Sequence, residues 1–454
     1  MTKGSVSTRS RALRPAFATS RVNVTDGGWR NRINNAEGPS EAAARWDVLR
    51  IAMISSQFPP LWGGVGNVAY GEVVQLAARG HEVHVITRNH PQDKAVPHIE
   101  GDVQVHHVPM VRIPMAFTTS FGKNAVRKLM ELGNDFDMVH VQSNMSLLQK
   151  RHYWDIRAPI VSGMLGTWKG ERSMITWRDV TTSIESANDL AVLYLSPMFD
   201  VFEDYALQYS NANLIICAEL FEAIRQRGVS NVYGDDRWHL LYAGIDADAL
   251  HPRNRDPGVL ERYGLDPEAP LVLFVGRLAA RKGVFDMLDI FRRAHEEAPS
   301  SQLVVLGSGP QERDLRKRVA DHGLDDAVTI TGSVPFPDLQ AFYATADAVL
   351  FPSFWEGQGL IVGEAMASGT VIIASEVGWV PEIIRDGENG FRFPVRDVAK
   401  AASQLVQVLT DDDLRQRMEL EGRRTIEDGL TLRHHMDRLE AIYAEVMGDD
   451  KPPR

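Results

Sequence analysis

The sequence predicts an α/β protein made of two doubly wound, Rossmann-like domains that face each other across a cleft. Three observations lead there. The chain has 454 residues, long for one core and enough for two domains of roughly 200 residues each. Short continuous apolar runs alternate with helical patterns, as parallel strands covered on both faces do. Between Tyr242 and Pro257 the pattern weakens, with Pro252 and Pro257 as breaks, and a linker is expected there.

Taken in order, residues 1–47 are rich in Arg, Ser and Asn, and their first acid is Asp26. No apolar h-region follows, so they read as a disordered leader and not as a secretory signal. Residues 48–55 form the first expected strand, followed by a Pro/Gly-rich loop over 59–66. Residues 67–79 carry Val68, Val73, Leu76 and Ala77 at near-helical spacing until Gly80 stops them. Further strands are expected at 83–86, 138–141, 159–161 and 214–216. The stretch 165–210, rich in Trp, Ser and Thr, reads as ligand-facing loops. In the second half, strands are expected at 271–275, 302–306, 328–331, 348–351 and 371–374. Between them lies a helix over 284–294, with Val284, Met287, Leu288, Phe291 and Ala294 on one stripe. Helices over 395–409 and 432–447 close the chain.

Composition narrows the function. Hydrophobic residues make up 44% and charged residues 24%, the balance of a soluble enzyme. A formal charge of -11 gives no reason to expect a nucleic-acid partner. No apolar run approaches the ~18 residues a membrane helix needs. The single cysteine, Cys217, excludes a disulfide within the chain, fits a reducing cytoplasm and reads as a small buried hydrophobe. Asp246-Ala247-Asp248 lies in the linker and reads as capping acids. No other His/Cys/Asp cluster has metal-ligand spacing, so neither metal nor cofactor is expected.

The most informative segment runs Phe354-Trp355-Glu356-Gly357-Gln358-Gly359-Leu360-Ile361-Val362-Gly363-Glu364-Ala365-Met366-Ala367-Ser368-Gly369. It follows a strand, turns through two glycines and opens a helix. Gly357 and Gly359 let the backbone approach a ligand, and the amides near Leu360 and Ile361 make an anion site. Glu356 in the loop and Glu364 in the helix are spaced to meet opposite ends of a sugar–diphosphate–nucleoside. A second segment, Val275-Gly276-Arg277-Leu278-Ala279-Ala280-Arg281-Lys282-Gly283, offers a planar fork at Arg277 and a compact charge at Lys282. Arg281 is expected to face solvent.

Together these segments resemble the signature of retaining GT-B glycosyltransferases (glycosyl transferases group 1, family 4), a family that includes sucrose synthases and bacterial mannosyltransferases. The resemblance covers nearly all of residues 48–447 and is strongest over 271–395. It implies a retaining, metal-independent hexosyltransferase that takes a UDP- or GDP-sugar and passes the sugar to a lipid, a saccharide or a small metabolite. It also implies that Glu356, Arg277 and Lys282 act in catalysis, Glu356 at donor-sugar hydroxyls and the two cations at the diphosphate. Glu364 would hold the ribose, and Gly357, Gln358, Gly359, Leu360 and Ile361 would line the donor. Gly63-Gly64-Val65-Gly66 resembles the family's glycine loop, so Gly64 and Gly66 would approach the donor phosphate. Trp168 and Lys169 stand on the acceptor side. Leu306-Gly307-Ser308-Gly309-Pro310 fits a nucleobase loop. Glu382, in Gly378-Trp379-Val380-Pro381-Glu382, reads equally as a ligand or as a helix-start acid. The expected domains are an acceptor-side domain over 48–245, a donor domain over 246–430, and a C-terminal helix and tail over 431–454.

Two positions depart from the family pattern. Leu165 stands where many members carry a histidine, and Gln358 where an aromatic is common. His140 reads as a core or cleft-wall residue. The basic aromatic stretch Gln149-Lys150-Arg151-His152-Tyr153-Trp154 reads as a solvated surface, with peripheral membrane contact as the alternative. Two rival functions remain open at this point. Gly64-Val65-Gly66-Asn67-Val68-Ala69 matches a dinucleotide fingerprint, which would suit an NADP-dependent oxidoreductase, but it lies well beyond its strand. The altered Leu165 and Gln358 positions would suit a non-catalytic sugar-nucleotide binding protein.

Overall fold

Two all-parallel sheets carry the chain in the computed structural model, which describes residues 48–59, 63–89, 97–111, 116–143, 148–173, 193–226 and 237–448. The expected leader lies outside the described residues. The first sheet contains β1 (Arg50–Ser55), β2 (Glu82–Arg88), β3 (Val103–Val108), β4 (Met138–Ser143), β5 (Ile160–Met164), β6 (Ala212–Ile215) and β7 (Trp238–Leu240), in the order β3-β2-β1-β4-β5-β6-β7. The second contains β8 (Leu271–Val275), β9 (Gln302–Leu306), β10 (Val328–Gly332), β11 (Ala348–Phe351), β12 (Val371–Ser375) and β13 (Phe391–Phe393), in the order β10-β9-β8-β11-β12-β13. Every pairing in both is parallel.

The apolar runs explain the strands. Ile51, Ala52, Met53 and Ile54 are all fully buried, with alternate residues entering the clusters on the two faces of the first sheet. The helix Val284–Glu297 buries Val284, Met287, Leu288, Ile290, Phe291 and Ala294, the expected stripe with Ile290 added. Each large side chain contributes about 1.5–3 kcal/mol.

In both sheets the strand order reverses at equivalent points, between β1 and β4 and between β8 and β11. Ligands of open α/β sheets collect outside the carboxyl ends of the strands at such switch points. The glycine loop follows β1, the Arg277–Lys282 loop follows β8, and the Glu356 loop follows β11.

The chain crosses from the first sheet to the second at Ile245 and returns at Thr431, and these two residues form a parallel bridge. The Ile245 amide donates to Leu430 O (2.9 Å), and the Leu432 amide donates to Ile245 O (2.8 Å). The helix Leu432–Gly448 then packs on the first sheet, burying Met436, Leu439, Ile442 and Tyr443 with Ile51, Met53, Val73 and Met138. Another buried cluster spans both domains, joining Met164, Ile215 and Ile216 to Ile245, Trp379 and Val380.

Several boundaries move. The first helix begins at Gly64 and not at 67, which puts Gly64 and Gly66 inside its first turn. The helix expected at 395 starts at Val398, because Asp397 caps it by accepting from the Lys400 amide at 3.0 Å. The helices Ala116–Glu131 and Asp412–Glu427 and the strands β3, β7 and β13 have no counterpart in the sequence reading.

Candidate active site

The Glu356 loop leaves β11 at Phe351 and is pinned at once to the Lys282 loop. The Phe354 amide donates to Arg281 O at 2.8 Å. Lys282 Nζ lies 2.5 Å from Glu356 Oε1, and Arg281 Nη1 lies 3.5 Å from both Glu356 oxygens. Arg281 therefore approaches Glu356 while its side chain stays 36% exposed, partly facing solvent as expected. Glu356 is buried, with 9% of its surface exposed. Burial pushes its carboxyl up, but Lys282 and then Arg281 outweigh that and hold it below the usual glutamate range. The result is a buried anion flanked by two cations.

Gly357 and Gly359 each have a physical requirement. A Cβ on Gly357 would lie 2.4 Å from Leu165 O and 2.9 Å from Ile216, both in the first domain. Gly359 has φ +77° and starts the helix Leu360–Ala367 from the left-handed region. The Gly359 N-cap supplies no side-chain cap to that helix, and uncapped first amides such as those of Leu360 and Ile361 suit an anion. Within the helix, Glu364 Oε2 accepts from the Tyr343 hydroxyl at 2.8 Å. Burial pushes the Glu364 carboxyl up, opposed by Tyr343 and Lys282. Tyr343 is fully buried, and sequence reasoning missed it. Its signal was a tyrosine at a core position of Phe336–Thr345, where a buried hydroxyl needs a partner.

The Gln358 side chain is 4% exposed, and both of its polar atoms engage the backbone of Ala243. The side chain is thus held in a structural contact, within the loop expected to line the donor. Arg277 follows Gly276 and is exposed. The Leu278 amide donates to Ser308 O at 3.0 Å, so the expected nucleobase loop packs on the Arg277 loop.

Glu382 is bound across the domain boundary. It accepts from the Ala218 amide (2.9 Å) and from the Tyr242 hydroxyl (2.6 Å). In the opposite direction, Glu219 accepts from the Gly378 amide at 2.7 Å. Burial pushes the Glu382 carboxyl up to about 7 despite those hydrogen bonds.

On the first domain, Gly64 is exposed and Gly66 buried at the start of a helix that no described side chain caps. His140 is fully buried and bonds the Tyr443 hydroxyl through Nδ1 (2.6 Å), a core residue as expected. Cys217 is buried, its thiol is pushed up by burial, and its Sγ accepts from the Leu220 amide. Asp246 caps as expected, accepting from the Ala249 amide at 2.9 Å. Trp168, expected on the acceptor side, is 1% exposed and packs on Phe199. Lys169 is exposed, and the adjoining Gly170 lies against Trp355 of the Glu356 loop. In the basic aromatic stretch, Trp154 is exposed, with Lys150 Nζ 5.2 Å above its ring.

Comparison with known proteins gives concordant results. Residues 260–425 match the family described as Glycosyl transferases group 1, and residues 62–249 match Glycosyltransferase Family 4. The chain is 26% identical over 398 residues to N-acetyl-alpha-D-glucosaminyl L-malate synthase of Bacillus anthracis, covering 86% of this chain and 96% of that one. It is 28% identical over 394 residues to a glycogen synthase of Mycobacterium tuberculosis, covering 81% and 88%. Among solved structures, sucrose-phosphate synthase from Thermosynechococcus elongatus superposes with a TM-score of 0.72 at 22% identity, over 88% of this chain and 99% of that one. Anabaena Alr3699/HepE in complex with UDP and glucose superposes with a TM-score of 0.65 at 15% identity, over 88% and 100%.

Proposed function

From a chain that belongs to the group 1 glycosyl transferases of GT-B fold and is a glycosyltransferase, we propose a retaining enzyme that takes its sugar from a nucleoside diphosphate donor. The observation that carries this reading is the Glu356–Lys282 contact beside the uncapped start of Leu360–Ala367, at the switch point of the second sheet. Lys282, Arg277 and the amides of Leu360 and Ile361 hold the diphosphate and balance the charge that grows on it as the anomeric bond breaks. Glu356 accepts hydrogen bonds from donor-sugar hydroxyls, and Glu364, oriented by Tyr343, takes the ribose with its second oxygen. The acceptor oxygen attacks the anomeric carbon on the face the diphosphate leaves, and the departing phosphate oxygen receives the acceptor's proton. No protein base is required, which accords with leucine at position 165.

UDP is present in the Anabaena structure, and ADP in that of starch synthase IV from Arabidopsis thaliana, which favours a uridine or adenosine donor beside the guanosine expectation. A thermal-shift screen with UDP, ADP, GDP and TDP tests the reading. The matching nucleotide at 100 times its dissociation constant adds about 2.7 kcal/mol of stability. No shift with any of the four contradicts the proposal. Because the cations are supplied by side chains, turnover should also survive excess EDTA, and rescue of lost activity by magnesium or manganese would count against the mechanism. A dinucleotide reading is disfavoured, because residues 56–63 separate β1 from its helix and β2 ends in Arg88 and not in an acid.

A further inference from the structure

Behind the two ligand-facing loops runs a buried polar chain that the reaction itself does not use. It starts at Glu72, which is 1% exposed and lies on the helix Gly64–Ala78 that carries the glycine loop. Burial pushes the Glu72 carboxyl up, but His140 and His435 outweigh this and keep it below the usual range, so Glu72 is an anion. Its Oε2 accepts from Gln142 Nε2, and its Oε1 lies 2.9 Å from His435 Nε2. On the other side of the ring, His435 Nδ1 lies 2.8 Å from the carbonyl oxygen of Tyr242. A carbonyl oxygen can only accept, so Nδ1 donates to Tyr242, and Nε2 faces the Glu72 carboxyl.

The next link is a single peptide group. The Tyr242 carbonyl receives the His435 hydrogen bond, and the Ala243 N–H at the other end of the same peptide unit donates to Gln358 Oε1 at 2.6 Å. Gln358 Nε2 then donates to Ala243 O at 2.8 Å, closing a two-way clamp. Hydrogen bonds linked through one peptide polarise each other, so loss of one weakens the next. The segment holding that peptide is where the chain crosses between domains, two residues before the Ile245–Thr431 bridge. It has no room to rearrange around the ring, because a Cβ on Gly244 would lie 2.7 Å from His435 Cβ.

We infer that Gln358 and His435 are positioning residues: through the Tyr242–Ala243 peptide they tie the helix of the glycine loop to the donor loop, and so fix the two halves of the donor site relative to each other. This rests on the proposed donor reading, in which the glycine loop and residues 356–361 approach one ligand from opposite domains. Free nucleotide diphosphate, held mostly by the second domain, does not need that alignment. The reacting sugar does, since misplacement of about 1 Å costs roughly a hundredfold in rate.

The test is a double-mutant cycle on the full chain with Gln358→Met and His435→Gln. Each single variant should lower kcat by roughly ten- to a hundredfold and leave nucleotide diphosphate affinity within about twofold of wild type. The double variant should be no worse than the poorer single one, because both break the same chain. Losses that multiply, an unchanged kcat, or a fall in nucleotide affinity equal to the fall in kcat would each overturn the inference. Gln358→Glu keeps the side-chain size and the acceptor for Ala243 N–H while losing the donor, and it replaces Gln358→Met if that variant does not fold. Amide hydrogen exchange without ligand separates this inference from the donor reading. Gln358→Met should speed exchange in the remote helix Gly64–Ala78, even if no nucleotide binds the wild type. Unchanged exchange there overturns the relay, whereas absence of nucleotide binding overturns only the donor reading.

Discussion

Glu356 and Glu364 are the same side chain in opposite surroundings. Beside Lys282 and Arg281, Glu356 is held as a buried anion, whereas Glu364 meets a tyrosine hydroxyl and is pushed up by burial. That contrast supports a division of labour. Glu364→Ala should weaken binding of free nucleotide diphosphate by about 1.5–3 kcal/mol, or roughly ten- to a hundredfold, in a calorimetric titration. Glu356→Ala should spare that titration, since the ligand has no sugar, and should cut turnover of the intact donor. Equal loss of nucleotide affinity in both variants would remove the distinction. Tyr343→Phe deletes one hydroxyl at constant ring size, and should cost about 1 kcal/mol of nucleotide binding through a less well-oriented Glu364. An affinity equal to wild type would show that Tyr343 serves only the core.

At the scale of elements, the strands that were legible in the sequence are mostly interior ones, with β10 the exception at an edge. β1, β8, β9, β11 and β12 are buried on both faces and read as unbroken apolar runs. β3 is an edge strand whose Gln104, His106 and His107 interrupt the run, and β7 and β13 have three residues each, too few to show a period. The helix Asp412–Glu427 hides for another reason. It buries only Met418, Gly422 and Ile426, so its charged face dominates the sequence. The Glu356–Glu364 spacing was readable because loop and helix lie close in sequence, whereas the Gln358–Ala243 clamp and the Arg281–Glu356 contact join residues 115 and 75 positions apart. The last helix shows how firmly the C-terminal crossing is held. Leu439 is fully buried against the first sheet. Leu439→Ala should destabilise the chain by about 2–5 kcal/mol in urea unfolding. A cost below about 0.5 kcal/mol would mean that the helix adds little to the first domain.

On the scale of the whole molecule, two carboxylates join the domains in opposite directions, Glu382 to the Ala218 amide and Glu219 to the Gly378 amide. Burial raises the Glu382 carboxyl from 4.5 to about 7. A carboxyl raised on folding binds more proton in the folded chain, so stability falls as pH rises from about 4.5 through 7 and is level above. Glu219, also pushed up by burial, adds in the same direction. Melting curves from pH 5 to 8 should therefore show a decline worth up to about 3 kcal/mol that Glu382→Gln largely removes. The same slope in that variant would assign it to other groups. In the proposed reading donor and acceptor meet at the boundary held by these carboxylates, and the stereochemistry of transfer reports on how they do so. Proton NMR of the first-formed sugar, with the full chain turning over the nucleotide donor that its thermal shift selects, is the most direct measurement. Front-face transfer should release nucleoside diphosphate and a sugar of the same anomeric configuration as the donor. The opposite anomer as first product would contradict front-face transfer at this site.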